Sequence, residues 1–217
     1  MSTKTAGGIC LVGGIVGAAQ AVVMLVVSPA VSDDRYSYPF DSTGYAVAQS
    51  SFFVQHLLLL VGVVALLGLP TVRSSRGAQI GTWIGLAGMI GLTVAELVAI
   101  SAHETAVGSD HAALVDAVYG IVVPLSGLGF LVAGIALLRG SRDPWAGAGW
   151  LPLLVLVIGL FVFVPMTPAI IASYDAARIA IGVWMLLFAA LGLGLTRVSP
   201  PRAVSAAPGT PSRSRVA

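Results

Sequence analysis

The chain has 217 residues, of which 57% are hydrophobic and only 9% are charged, and its formal net charge is +2. A water-soluble domain carries about 25% charged residues, so the composition excludes an ordinary soluble protein and favours an integral membrane protein. The basic residues lie at helix ends and in a tail, without the basic groove and interleaved aromatics that nucleic-acid binding requires, and we expect no nucleic-acid partner.

Six apolar stretches follow one another along the chain. Each is close to the ~20 residues that a helix needs to cross a hydrocarbon core of ~30 Å. They are Gly7–Val27, Phe52–Leu69, Ala78–Ala102, Ala112–Leu138, Ala146–Ile171 and Ile179–Thr196. The sequence therefore predicts an all-α integral membrane protein, a six-helix transmembrane bundle over residues 1–196. The first stretch is longer than the ~7–15-residue core of a signal peptide, and we expect it to be retained.

Basic residues fall in alternate connections between these stretches. Nine of the eleven Lys and Arg residues lie on one side of the predicted bundle, and only Arg35 and Arg178 lie on the other. Because basic residues are retained on the cytoplasmic side, both termini are predicted to be cytoplasmic. Arg outnumbers Lys ten to one, which is typical of GC-rich genomes, so we expect a bacterial plasma membrane.

Local signals mark several helix ends. The exterior connection Ser28–Ser50 is expected to fold onto the outer rim, with the second helix starting near Ser42 or Thr43 as its N-cap. Asp110 and Ser173 are the expected N-caps of the fourth and sixth helices. Pro165 and Pro168 are expected to end the fifth helix. The tail, residues 197–217, is rich in Pro, Ser and Arg and is predicted to be a disordered cytoplasmic segment.

Glycines recur at helical spacing. Gly77, Gly81 and Gly85 form one run with a period of four, and Gly13 and Gly17 form another pair. Small residues four apart let helix backbones approach closely within lipid. The spacing is compatible with a homo-oligomer or partner interface and with packing inside one chain. The second interpretation is favoured because six helices must pack together.

A layer of polar side chains is predicted in the outer leaflet. A rise of ~1.5 Å per residue places these side chains about 20–33 Å from the cytoplasmic helix ends. Five of the six helices contribute to it: the residues are Gln20, His56, Glu96, Asp116, Tyr119 and Arg178. Ionisable groups inside a membrane are costly and face a partner or a cavity.

Three interpretations of this layer remain open. In the first, Glu96 pairs with Arg178 or His56 and fastens the bundle. In the second, the layer is an outward-facing pocket in which Glu96 takes up a proton and His56 relays it or contacts a substrate. In the third, the layer contacts lipid headgroups.

No motif of a known reaction is present. The clusters His103-Glu104 and Asp110-His111 could offer metal ligands, but the HExxH arrangement is absent. We expect no cofactor, no metal and no catalytic residue. The leading hypothesis is a non-catalytic six-helix membrane component, with the lipid bilayer, a membrane-protein partner or a second copy as its neighbours. The alternative is a transporter or binding protein for a small solute or lipophile, and a haem- or metal-binding protein is a remote third.

Overall fold

The computed structural model describes residues 1–140 and 148–198. Within these residues the regular elements are helices, and an isolated bridge joins Arg35 to Ala106. The helices are α1 (Thr3–Val26), α2 (Ser42–Gly68), α3 (Pro70–Arg73), α4 (Arg76–Ile100), α5 (Asp110–Arg139), α6 (Leu151–Phe161), α7 (Thr167–Ala172) and α8 (Tyr174–Arg197). The predicted disordered tail lies outside the described residues from 199 onward, as does the predicted start of the fifth stretch at Ala146.

Six helical segments are long and apolar enough to cross a membrane. They are α1, α2, α4, α5, the continuous segment from α6 to α7, and α8. The predicted number of spans is therefore confirmed, and the six segments suggest a multi-pass membrane protein. The short helix α3, which begins at Pro70, was not predicted.

Helix N-caps explain where three of the spans begin. The predicted N-cap of α2 at Ser42 or Thr43 was wrong: Asp41 is the N-cap and accepts a hydrogen bond from the Gly44 amide at 2.7 Å, so the helix starts at Ser42, ahead of its apolar stretch. Ser173 caps α8, as predicted. The prediction for α5 was wrong by one residue: Ser109 is the N-cap, and Asp110 is the first helical residue, where its charge favours the helix dipole.

The predicted helix end at Pro165 and Pro168 was wrong. A π-helical turn, Val162–Met166, contains Pro165 and leads into α7. Proline has no backbone N–H to donate, so an α-helical hydrogen bond is missing at Pro165. The wider π turn accommodates the proline, and within it the Thr167 amide donates to the Val162 carbonyl, five residues back. The Thr167 hydroxyl donates to the same carbonyl at 2.7 Å. The segment therefore continues to Ala172.

The spans form a closed ring. Helix α1 packs between α2 and α8, α4 between α2 and α5, and α6 between α5 and α8. The first and last spans of the chain are thus neighbours. We call the end that holds Lys4, Arg73, Arg76, Arg139 and Arg197 the basic end. The other end holds the connections 27–41 and 101–109, and we call it the long-loop end.

Glycines bring the backbones into contact in the half of the ring nearer the basic end. A Cβ on Gly192 would overlap the backbone of Leu11 in α1, and one on Gly129 would overlap the backbone of Gly85 in α4. The same holds for Gly159 against Leu131. Gly81 and Gly85, from the predicted period-four run, therefore contact α5 of the same chain. This finding favours the interpretation as packing within the chain.

An aromatic cluster lies between the glycine-packed half and the long-loop half. The rings of Trp184 and Phe188 meet edge to face with centroids 5.1 Å apart, and Phe130 meets Phe188 in the same way at 5.6 Å. The indole N–H of Trp184 donates to the carbonyl of Ile158 at 3.2 Å, which ties α8 to α6. Beyond this cluster, towards the long-loop end, the ring opens into a cavity, while α4 and α5 stay packed together, with Ala99 and Val115 in one buried cluster.

Candidate functional site

A cavity of about 1050 Å³ occupies the ring at the long-loop end. All six spans and both connections at that end contribute to its wall. Ligand sites in proteins have volumes of about 300–1,000 Å³, so this cavity is large enough for a small organic molecule. The wall includes every tyrosine of the chain: Tyr36, Tyr38, Tyr45, Tyr119 and Tyr174.

One face of α2 forms a wall of the cavity. Tyr45, Gln49, Phe52 and His56 are separated by four, three and four residues, so they lie on one side of a helix and all line the cavity. The Gln49 amide nitrogen donates to the Tyr45 hydroxyl at 2.7 Å. The oxygen of the Gln49 side-chain amide is buried without a hydrogen-bond partner among the described residues.

Glu96 and His56 face each other across the cavity wall. Both are buried, with 6% and 4% of their surface exposed. One carboxylate oxygen of Glu96 accepts a hydrogen bond from the Tyr119 hydroxyl at 2.9 Å. The other lies 3.6 Å from His56 Nδ1, which is too far for a hydrogen bond but close enough for the expected Glu96–His56 ion pair when the imidazole is protonated. Both ring nitrogens of His56 are therefore without a hydrogen-bond partner in the described part of the chain.

Arg178 lies near the start of α8 and does not pair with Glu96. Its guanidinium carbon lies 4.8 Å from the centre of the Tyr174 ring, in a cation–π contact. No carboxylate in residues 1–140 and 148–198 forms an ion pair with it, and its Nε is buried without a hydrogen-bond partner. The expected fastening of the bundle through a Glu96–Arg178 pair is thus absent, because each charged group is engaged by a neutral aromatic residue.

The two long connections join at the rim of the cavity. The Tyr36 amide donates to the Thr105 carbonyl at 3.0 Å, and the Val107 amide donates to the Asp34 carbonyl at 2.7 Å. The Tyr36 hydroxyl donates to the exposed carboxylate of Asp116 at 2.8 Å. Burial, and then the neighbouring Asp116, raise the pKa of Tyr36 well above its usual value, so the phenol keeps its proton. The first connection lies on the rim, as its sequence suggested.

The cavity also reaches the side of the bundle between α5 and α7. Gly120, Thr167, Ile170 and Ile171 line it and are exposed, Ile171 with 81% of its surface. Helix α5 packs along α6 and touches the π turn, whereas α7 packs against α8. The continuation of the fifth span through the π turn therefore leaves an opening within the apolar part of the bundle.

The predicted polar layer divides into two parts. His56, Glu96, Asp116, Tyr119 and Arg178 all line the cavity. Gln20 does not: its side chain donates a hydrogen bond to Ser51 and links α1 to α2 away from the cavity.

Sequence reasoning missed several residues of the wall, notably Tyr45, Gln49 and Gln55. The Gln55 amide nitrogen lies 3.2 Å from the Gly13 carbonyl and 3.1 Å from the Met185 sulfur, so it joins α2 to α1 and α8. The regular spacing from Tyr45 to His56 was the available signal.

The two histidines near the long-loop end have local partners. His111 bonds to the Ser101 hydroxyl at 2.9 Å, and His103 lies 3.5 Å from the Glu104 carboxylate. Among the described residues, no group of three or more His, Cys, Asp and Glu side chains is arranged to hold a metal ion.

Comparisons of the chain with protein-family models, with curated proteins and with solved structures find no match. The cavity itself offers aromatic walls, a buried carboxylate, a guanidinium and an imidazole with free ring nitrogens. Such groups hold a polar or charged molecule by hydrogen bonds and cation–π contacts.

Proposed function

We propose that the chain is a multi-pass protein of a bacterial plasma membrane that binds a small molecule in the cavity, without converting it chemically. Both termini lie in the cytoplasm, and the long-loop end faces the exterior. Of the hypotheses raised by the sequence, this is the binding protein for a small solute or lipophile.

The surface of the bundle supports the membrane location. Apolar side chains such as Val22, Val64 and Ile121 are exposed on α1, α2 and α5, where water would be an unfavourable neighbour and lipid a favourable one. The basic residues Lys4, Arg73, Arg76, Arg139 and Arg197 collect at one end, where the cytoplasmic headgroups would lie.

The observation that carries the proposal is a set of cavity-lining side chains whose buried polar atoms have no hydrogen-bond partner among the described residues. They are both ring nitrogens of His56, the Gln49 carbonyl oxygen and the Arg178 Nε. Buried polar groups in native proteins are almost always hydrogen-bonded, and a polar layer that served only to fasten helices would satisfy its members with one another. A layer that leaves these atoms unpaired within the wall of a large cavity instead favours a bound molecule, for which the wall can rearrange.

Cysteine labelling tests the proposal. The only cysteine, Cys10, is buried, so its reaction with a charged thiol reagent should be slow. Phe52 lines the cavity, whereas Val54, two residues on, points away from it and is exposed. We expect a membrane-impermeant sulfonatoethyl methanethiosulfonate, added to intact cells, to label Phe52→Cys and not Val54→Cys.

Topology is tested by a third position. Ser74 is exposed at the basic end, between α3 and α4. Ser74→Cys should react in inverted vesicles and stay unlabelled in intact cells. Labelling of Ser74→Cys from outside would overturn the orientation, and protection of Phe52→Cys from both sides would overturn a cavity that is open to the exterior.

A further inference from the structure

The cavity holds two opposite charges apart. The Glu96 carboxylate is held by the Tyr119 hydroxyl, and the Arg178 guanidinium lies over the Tyr174 ring. Both groups line the same cavity, yet they make no ion pair with each other. In surroundings of low dielectric constant, opposite charges attract strongly, so a site that separates them is complementary to a molecule that carries both charges.

The negative side of the cavity is rich in hydrogen-bond acceptors. The Glu96 oxygen that faces His56 and the carbonyl oxygen of Gln49 both lack a hydrogen-bond donor among the described residues. The neighbouring rings of Tyr36 and Tyr45, with centroids 6.3 Å apart, present aromatic surface to a cation. These groups suit an ammonium ion with its own N–H donors better than a quaternary ammonium, which has none.

The positive side suits a phosphate. The planar guanidinium of Arg178 offers several N–H donors, and its buried Nε has no partner in the described chain. Guanidinium groups bind phosphate and carboxylate oxygens through paired hydrogen bonds.

The side opening distinguishes a lipid from a water-soluble molecule. It lies between α5 and α7, where the exposed residues include the apolar Ile170 and Ile171. A Cβ built on Gly120, at the same opening, would meet no atom within 4 Å. A ligand that enters only from water has no need of an apolar opening in the side of the bundle, whereas a lipid could leave its acyl chains there.

From this arrangement we infer that the ligand is an aminophospholipid taken up from the bilayer. Its ammonium group binds between Glu96 and Gln49, its phosphate binds Arg178, and its acyl chains pass between α5 and α7 into the membrane. This inference rests on the proposed function and names the class of molecule that the same cavity binds.

Native mass spectrometry of the detergent-purified protein tests the ligand class with three short-chain lipids. Dihexanoyl phosphatidylethanolamine carries both charges and N–H donors, the phosphatidylcholine analogue lacks the donors, and the phosphatidylglycerol analogue lacks the positive charge. We expect the ethanolamine lipid to bind about tenfold or more tightly than either, the effect of one charge-assisted hydrogen bond. Equal binding of all three lipids would overturn the inference.

Variants assign the two ends of the headgroup. Glu96→Gln should weaken binding of the ethanolamine lipid and leave the glycerol lipid unaffected, whereas Arg178→Gln should weaken both. Gln49→Leu provides a second variant on the ammonium side in case Glu96→Gln does not fold. Identical affinities of the folded variants and the parent would contradict the assigned headgroup position.

Two further probes separate a lipid from a free solute. Gly120→Leu should obstruct the opening and weaken lipid binding, while Gly68→Leu, at another exposed glycine with open space around it, should not. Water-soluble O-phosphoethanolamine should bind much more weakly than the lipid, and equal binding would show that the ligand is a free solute. If Phe52→Cys is labelled from outside but no lipid preference is found, the pocket stands and only the ligand class fails.

Discussion

The same helices are packed closely in one half of the ring and enclose a cavity in the other half. Near the basic end, glycines let α1 contact α8 and α4 contact α5 at the level of the backbone. Near the long-loop end, tyrosines, glutamine and charged side chains occupy the corresponding positions, and the helices enclose a cavity of about 1050 Å³. The difference teaches that side-chain size along each helix decides where the bundle is solid and where it is open.

The solid half gives the open half its rigidity. Trp184 lines the floor of the cavity and packs on Phe188, which packs on Phe130, and the glycine contacts near them fix the helix axes. A site whose walls are held before the ligand arrives loses less entropy on binding. The polar groups can therefore remain separated, as Glu96 and Arg178 are, without the bundle collapsing around them.

The largest expected effect comes from breaking the solid half. Gly129→Val would place a side chain against the backbone of Gly85, and backbone cannot move aside as a flexible side chain can. We expect a loss of stability of about 3 kcal/mol, at the upper end for overpacking. Gly120→Val, on the same helix but with open space around it, should change stability little. Thermal unfolding in detergent measures both, and equal melting temperatures would show that the close contact is unimportant.

The sequence predicted the solid half better than the open one. Helix number followed from the length of the apolar stretches, and close packing inside the chain followed from the spacing of Gly81 and Gly85. The cavity depends on how far apart the helices stand, which no single stretch encodes. Glu96 and His56 were identified because each is a costly group within an apolar run, whereas the partners that Glu96 adopts depend on the relative rotation of α4, α5 and α8.

Two features of the site were hidden for physical reasons. Gln49 precedes the apolar stretch of α2, so the hydrophobic signal began after it, although the Asp41 cap starts the helix earlier. The side opening depends on the π turn at Pro165. The sequence did not reveal this turn, because a proline late in an apolar run is the ordinary signal for a helix end.

A smaller effect is expected within the open half. Tyr119→Phe removes the hydroxyl that donates to the Glu96 carboxylate, for which the described residues offer no other hydrogen-bond donor. We expect a loss of about 1.5–3 kcal/mol, the range for a hydrogen bond to a charged group. Adding Glu96→Gln should restore part of the stability of Tyr119→Phe, because an amide is less costly to leave unpaired than a carboxylate.

Denaturation of the single and double variants measures this coupling as a double-mutant cycle. Additive losses would show that Tyr119 and Glu96 do not act together. Glu96→Gln alone should cost less than Tyr119→Phe, since the amide oxygen still accepts from the Tyr119 hydroxyl. A larger loss of stability for Glu96→Gln than for Tyr119→Phe would indicate that the polar layer is purely structural.

The smallest expected effect concerns the rim. Tyr36→Phe removes the hydrogen bond to Asp116, and because that carboxylate is exposed, water replaces the lost donor at a net cost of about 0.5 kcal/mol. Hydrogen exchange should therefore quicken at the Tyr36 and Val107 amides, which join the two connections, and stay unchanged at Gly85 in the glycine-packed half. Tyr38→Phe is the matched control, because the Tyr38 ring contacts Tyr174 while its hydroxyl makes no hydrogen bond within the described residues. Faster exchange at Gly85 in Tyr36→Phe would show that the two halves unfold as one unit, and the contrast between a rigid base and a separately stabilised rim would then be wrong.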